Sequence, residues 1–462
     1  MTRESAILGI EKYFDSDDFY NDLARRVAIK TDSRDPECKP DLYAYLNDEI
    51  IPFLDEMDFS CQTFPNPVDY GGPFLIAERF EGLGLPTVLT YGHGDVVPGY
   101  DTQWNEGLSP WKMVSHDGRW YGRGTADNKG QHTINLAALK CVLDTRGKLG
   151  FNFKVLLETS EELGSPGLGE FAATHKDRLK ADVLIASDGP RLSPERPSLF
   201  MGSRGLFNFK MSLNLRDGGH HSGNWGGLLA NPGIILSHAI SSMITKDGKV
   251  LIDGIRPPGP IPNSVRDAIS DLQVDGGEGG PEIDHNWGEP GFTTGEKVFG
   301  WNTFEILSLI TGNPNNPVNA VPPRAEAMCH IRFVPPSDAS TFIAAIREHL
   351  DQHGFSAIEL EATRDVMQAT RLDPDHPWVQ WSRQSIEQTT GNKVDVIPNV
   401  GGSLPNEVFS KTIGMPTIWI PHSYAACSQH APNEHILPSV SRDALRLMTG
   451  IWWDLAAGNT PN

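Results

Sequence analysis

Apolar residues along this 462-residue chain follow two rhythms, and the change between them divides the sequence. Residues 5 to 30 and the segment DLYAYLNDEIIPFLDEMDF carry Ile, Leu and Phe at intervals of three and four, so each predicts an amphipathic helix. From 74 to 188 short apolar runs alternate with helical patterns. FLIAERF and TVLTYGH read as strands, KGQHTINLAALKCVLDTRG as a helix, FNFKVLLE as a strand, GLGEFAATHKDRL as a helix and DVLIASD as a strand. Strands separated by helices predict a largely parallel sheet with covered faces, a layered α/β fold.

After Arg204 the period becomes two. GLFNFKMSLNLRD and AEAMCHIRFVP alternate like half-buried strands, and the latter is followed by the helix SDASTFIAAIREHLDQHG and the strand AIELEATRD. This pattern predicts a small α+β unit inserted into the larger one. A Gly/Pro/Asp-rich stretch occupies 253–300, with 274–291 as its expected mobile loop. The α/β pattern resumes near Thr370 with the helix HPWVQWSRQSIEQTTG and the strand TIWIPH, which leads into a loop carrying His430. The expected organisation is a discontinuous α/β catalytic domain over 1–205 and 368–462, with an α+β lid over 206–367.

Composition narrows the function classes. The chain is 39% hydrophobic and 21% charged, which describes a soluble globular protein, and its length favours two domains. There is no run of about 18 apolar residues, and the N-terminus is acidic and amphipathic, so a cytoplasmic location is expected. A net charge of -20 argues against nucleic acid or anionic membrane as partners. Five cysteines without a CxxC spacing suggest neither a disulfide framework nor a thiolate metal site. Any metal would be held by oxygen and imidazole.

Four segments deliver such groups where an apolar strand is expected to end: His93 and Asp95 in TYGHGDVV, Asp127 in YGRGTADNKG, Glu161 and Glu162 in LLETSEELGS, and Asp188 in LIASDGP. Open α/β sheets place working residues beyond the carboxyl ends of their strands. Asp95, two residues from His93, suits either the carboxylate partner of a metal-bound imidazole or a support for a neighbouring base, though an exposed acidic neighbour fits the same spacing. Asp127 can be a helix cap or can bridge two cations. Of Glu161 and Glu162, neighbours that cannot point the same way, one can ligate while the other acts as general base. Asp188 ends an apolar run, where an unpaired carboxylate would be poorly solvated.

The ordered set HxD, GRGxxDxKG, the Glu pair before Gly-Ser, SDGP, HSGxWGG, NAVPPRAEAxxxIRFVP, GGSLP and HAPNE spans about 70–440 and resembles the M20 metallopeptidases. That family includes dipeptidases, carboxypeptidases and amino-acid deacylases. The resemblance implies that His93 and Asp188 hold one zinc, Glu162 and His430 the other, and Asp127 both. Glu161 is then the general base and Asp95 orients the site. His422 and His435 compete with His430 by composition, and the HAPNE match favours His430. It further implies a homodimer in which His221 of one subunit reaches the other's active site, with His220 a bystander. Arg332 corresponds to a carboxylate-binding arginine, with Asn319 and Ser403 adding hydrogen bonds.

GGSLP is similar to the dipeptidase branch. DNKGQH departs from the second Asp expected after Asp127, and 253–300 matches no family motif. The expected reaction is hydrolysis of dipeptides, or of the C-terminal bond of short peptides, at two divalent ions. Zinc is preferred over calcium or magnesium because two imidazoles are present, with manganese or cobalt as substitutes. An N-acyl-amino-acid deacylase or carbamoylase is the alternative within hydrolases. A non-catalytic binding protein would lack a ligand or the base, and none is missing.

Overall fold

The computed structural model describes residues 1–272, 274, 281–363, 366–402 and 404–461. Its larger sheet has eight strands, in spatial order Ser60–Phe64, Phe74–Arg79, Asn152–Glu158, Thr87–His93, Val183–Ala186, Thr417–Trp419, Ser198–Phe200 and Asp395–Ile397. Thr87–His93 runs parallel to both its neighbours, and Val183–Ala186 runs parallel to Thr417–Trp419. The first two strands close one edge antiparallel. The fold is thus mixed α/β with a mainly parallel centre.

Successive strand residues point to opposite faces, and the sheet uses this to build two cores. Val88, Val155, Val183 and Ile185 join one apolar cluster with Ile134, Leu445 and Trp452 of the helices Lys129–Arg146 and Pro438–Ala456. Leu89, Leu156, Leu184 and Ala186 face the other cluster, with Phe171, Phe299 and Phe409. Lys129–Arg146 stops at Gly147, whose φ of 76° lets its N–H reach the Leu143 carbonyl at 2.7 Å.

The smaller sheet is antiparallel, in the order Thr303–Thr311, Arg324–Phe333, Gly205–Asn214, Glu359–Ala362. Phe207, Phe209, Met211 and Leu213 alternate into a third core with Ile331 and Phe333, beneath Pro232–Met243 and Phe342–Gln352. Among the described residues no helix is long and apolar enough to cross a membrane.

Several local expectations need correction. Residues 5 to 30 form two helices, Arg3–Asp15 and Asp18–Ala28, separated where Asp17 takes φ 64°. Ser and Asp side chains in DSDD compete with the helix for backbone hydrogen bonds, and they override the continuing apolar period. The second expected helix is interrupted by a widened turn at Tyr45–Ile50 before Ile51–Asp55, where Pro52 cannot donate back to the preceding turn. The 253–300 stretch includes the helices Asn263–Ile269 and Thr294–Phe299. Within the expected mobile loop, 275–280 lie outside the described residues.

Candidate metal centre

His93 ends the strand Thr87–His93, and that strand's two parallel neighbours deliver the acids on either side of it. His93 pairs in register with Glu158, and the next residues turn into the short helix Glu161–Leu163. On the other flank Asp188 follows Val183–Ala186. His93 Nε2 lies 3.8 Å from Asp188 Oδ2 and 4.0 Å from Glu161 Oε2.

Asp127 arrives by a different route from the one expected. The strand before it, Arg119–Tyr121, belongs to a separate three-stranded sheet, so Asp127 sits on a turn rather than at a main-sheet strand end. Glu434 holds that turn. Its Oε1 accepts from the backbone N–H groups of Gly124, Ala126 and Asp127 at 3.0, 3.0 and 3.1 Å, and its Oε2 from Arg123 at 2.5 Å. The pairing of His435 with Tyr121 brings the His430 loop to the same turn. In that loop Ser428, His430 and Asn433 have φ of 57°, 60° and 62°, a conformation costly for residues with a Cβ and frequent at functional sites.

These routes bring the five expected ligands together as two overlapping groups: His93, Asp127 and Asp188, and Asp127, Glu162 and His430. Within each group one ligand atom per residue lies within 4.8 Å of the others. Asp127 is shared, with Oδ1 3.0 Å from His93 Nε2 and Oδ2 3.0 Å from His430 Nε2. His430 Nε2 is also 3.2 Å from Glu162 Oε2. His93 Nδ1 faces the Asp95 carbonyl at 3.1 Å. A carbonyl only accepts, so Nδ1 carries a proton; Nε2 also donates, to the Asp127 carboxylate, and would present a lone pair only to a bound cation.

Asp95 is fully buried, not an exposed neighbour. Its carboxylate accepts from the N–H groups of Glu161 and Glu162, both at 3.1 Å, so it fixes the Glu pair more directly than the imidazole. His422 bonds Ser187 and Asn135 through Nε2 and His435 bonds Tyr424, and neither joins the two ligand groups found among the described residues.

Burial pushes Asp188 up to about 6 and Glu162 up to about 7, each with further push from the Asp127 charge. Burial also drives Glu161 well above the usual carboxylate range. Asp127 goes the other way: burial opposes its charge, but hydrogen bonds from His430 and His93 outweigh that and hold it well below. His430 is raised to about 10 by its bonds to Asp127 and Glu162. Glu162 Oε1 is buried without a hydrogen-bond partner. Mutually repelling buried carboxylates, one with an orphaned oxygen, fit cation binding.

Three of the four expected substrate-binding residues lie away from the acids. His221 and Asn319 are exposed beside a two-stranded ladder in which His220–His221 pairs with Ala320–Val321. Arg332 sits on Arg324–Phe333, where its carbonyl accepts from Arg204. None of the three lines the cleft over the acids among the described residues. Ser403 lies outside the described residues, between Gly402 and Leu404, which do line it.

Sequence reading missed the supports. Glu434 and Arg123 stood inside quoted motifs without a role, and Gln429, which donates to Asp127 Oδ2, carried no signal.

The sheet and its paired acidic groups define a class: a metal-dependent hydrolase built on an α/β scaffold. The chain belongs to peptidase family M20/M25/M40, which matches residues 89–454. It is 28% identical over 332 residues to a cysteinylglycine-S-conjugate dipeptidase of Corynebacterium striatum, covering 69% of this chain and 70% of that one. Against the Beta-Ala-His dipeptidase of Mus musculus it is 27% identical over 454 residues, 91% and 89% of the two chains. The crystal structure of human carnosine dipeptidase 1 matches with a TM-score of 0.75 over 99% of both chains at 22% identity, a likeness of fold.

Proposed function

We propose that this protein is a two-metal dipeptidase that hydrolyses the amide bond of dipeptides or the C-terminal bond of short peptides bearing a free carboxylate. The sharing of Asp127 by two ligand groups carries this reading, and the dipeptidase names of the two relatives support it. His93 and Asp188 would hold one ion and Glu162 and His430 the other, with Asp127 between; the imidazoles favour zinc, with manganese or cobalt as substitutes. Such ions supply a water acidified towards neutrality and a polarised carbonyl.

The remaining chemistry belongs to the chain. Glu161 stands outside both ligand groups yet lines the cleft, within reach of a water held between them. It takes the proton of the attacking water and returns it to the leaving nitrogen. Asp95 holds Glu161 in place through the backbone.

Residues 206–367 act as a lid and dimerisation unit between the catalytic halves 1–205 and 368–462. Thr303–Thr311 supports pairing with a second copy: it is a sheet edge on which Ile306, Leu307, Leu309 and Ile310 are all more than 40% exposed. In the homodimer His221 reaches the partner's active site as oxyanion donor, while Arg332, Asn319 and Ser403 hold the substrate carboxylate and backbone.

The test is a hydrolysis screen of chelator-stripped protein reloaded with zinc, manganese or cobalt. Free dipeptides should be cleaved and the same peptides acylated at the α-amine should not. Cleavage of the acylated set in preference would establish a deacylase instead.

A further inference from the structure

The acids share a cleft of about 430 Å³ with a largely apolar wall among the described residues. Phe200, Phe299 and Val400 are buried in its wall, and Leu192, Val298 and Leu404 stand half-buried around it. Besides His430, the basic residue of the wall among the described residues is Arg191, which is only 1% exposed; its Nη1 lies 3.0 Å from Asp443, while its Nη2 is buried without a hydrogen-bond partner.

Two of these residues have an unexpected source. Val298 and Phe299 belong to the helix Thr294–Phe299, inside the Gly/Pro/Asp-rich stretch that matches no family motif. The capping box of that helix, in which Thr293 accepts from the Glu296 N–H and Glu296 accepts from the Thr293 N–H, fixes where it starts. The helix packs Phe299 into the core that also holds Phe200 and Trp419 of the main sheet. The stretch therefore forms a wall of the cleft.

A peptide bond laid over the acids places the side chain of one flanking residue against these carbons. A charged or amide side chain against these carbons would lose hydration, whereas an aliphatic or aromatic one gains the burial. We infer that this protein selects peptides with a bulky aliphatic or aromatic residue beside the cleaved bond, and that the helix Thr294–Phe299 helps set this preference. The inference rests on the dipeptidase reading and names its substrate class.

The experiment uses the zinc-loaded protein and two dipeptide series, X-Gly and Gly-X, with X as Gly, Asp, Lys, Leu or Phe. In one series the Leu and Phe members should exceed the Gly, Asp and Lys members in kcat/KM by about 10- to 100-fold. Val298→Asp should narrow that ratio, and Val298→Thr, close to isosteric and thus suited to keeping the fold, should narrow it less. Chelator-sensitive hydrolysis with Gly, Asp or Lys accepted as well as Leu and Phe in both series overturns the inference and leaves the dipeptidase reading standing. No chelator-sensitive hydrolysis of any member overturns both.

Discussion

The acidic cluster and the ladder carrying His221 are assembled in contrasting ways within one chain. Two acids of the cluster are fixed by groups from other elements, Asp95 by two backbone N–H groups and Asp127 by two imidazoles and Gln429, and the turn beneath Asp127 is held by Glu434. His221 has a local bond, its Nδ1 accepting from the Gly223 N–H at 3.1 Å, and stands exposed. The cluster is organised before any ligand arrives, whereas on the proposed reading the ladder would gain its organisation from substrate or from a second copy. Damage to the first should therefore remove metal and chemistry together, and damage to the second should spare the metal.

The sharpest break is at Asp127. Asp127→Asn should abolish activity in the peptide assay, a loss beyond that of any other substitution, because both ligand groups share this residue. Glu161→Gln should lower kcat by about 10²- to 10⁴-fold with metal content unchanged, as a residue that only moves protons would. His221→Ala should cost about 10²- to 10³-fold in kcat, again with full metal content. Mixing the inactive Glu161→Gln and His221→Ala proteins should then restore about a quarter of wild-type activity, the share of intact sites in random dimers. No recovery would show that His221 acts within its own subunit.

Glu434→Gln is expected to act on the cluster at one remove. Metal affinity should fall by about 10- to 100-fold, read by titration against a chromophoric chelator. Buried Arg123 loses its charge partner, so chemical denaturation should record a loss on the order of 3 kcal/mol.

The smallest effect concerns Glu158, which closes its strand fully buried. Burial pushes it from 4.5 up to about 7, although Tyr91 and Ser165 donate to Oε1 at 2.6 and 2.9 Å. A folded-state value above the unfolded one means stability that is complete below about 4.5 and lost as pH rises through about 7. Glu158→Gln should flatten that window, reducing the difference in melting temperature between pH 5 and pH 8. An unchanged difference would place the titration elsewhere.

The sheet and its ligands were legible because apolar runs ending in Gly, Asp and Glu are local signals. TVLTYGH, KVLLE and VLIAS all became main-sheet strands, each followed by its acid. What went unread depends on distant partners. Asp127 owes its position to Glu434, 307 residues away, and no local pattern carries such a bond. The helix Pro438–Ala456 is buried along most of its length, packed against Lys129–Arg146, which lies far earlier in the sequence. Thr303–Thr311 is an edge strand whose exposed Leu and Ile residues obscure the alternation of a half-buried strand. The motifs picked out residues that converge on the cluster, while the supports that hold them became visible only in three dimensions.

Metal stoichiometry tests the central claim most directly. After loading with excess zinc and desalting, elemental analysis should find about two ions per chain in the wild type, as expected of a co-catalytic pair, and far fewer in Asp127→Asn. Two tightly held ions in the Asp127→Asn protein would contradict a centre built on one shared carboxylate.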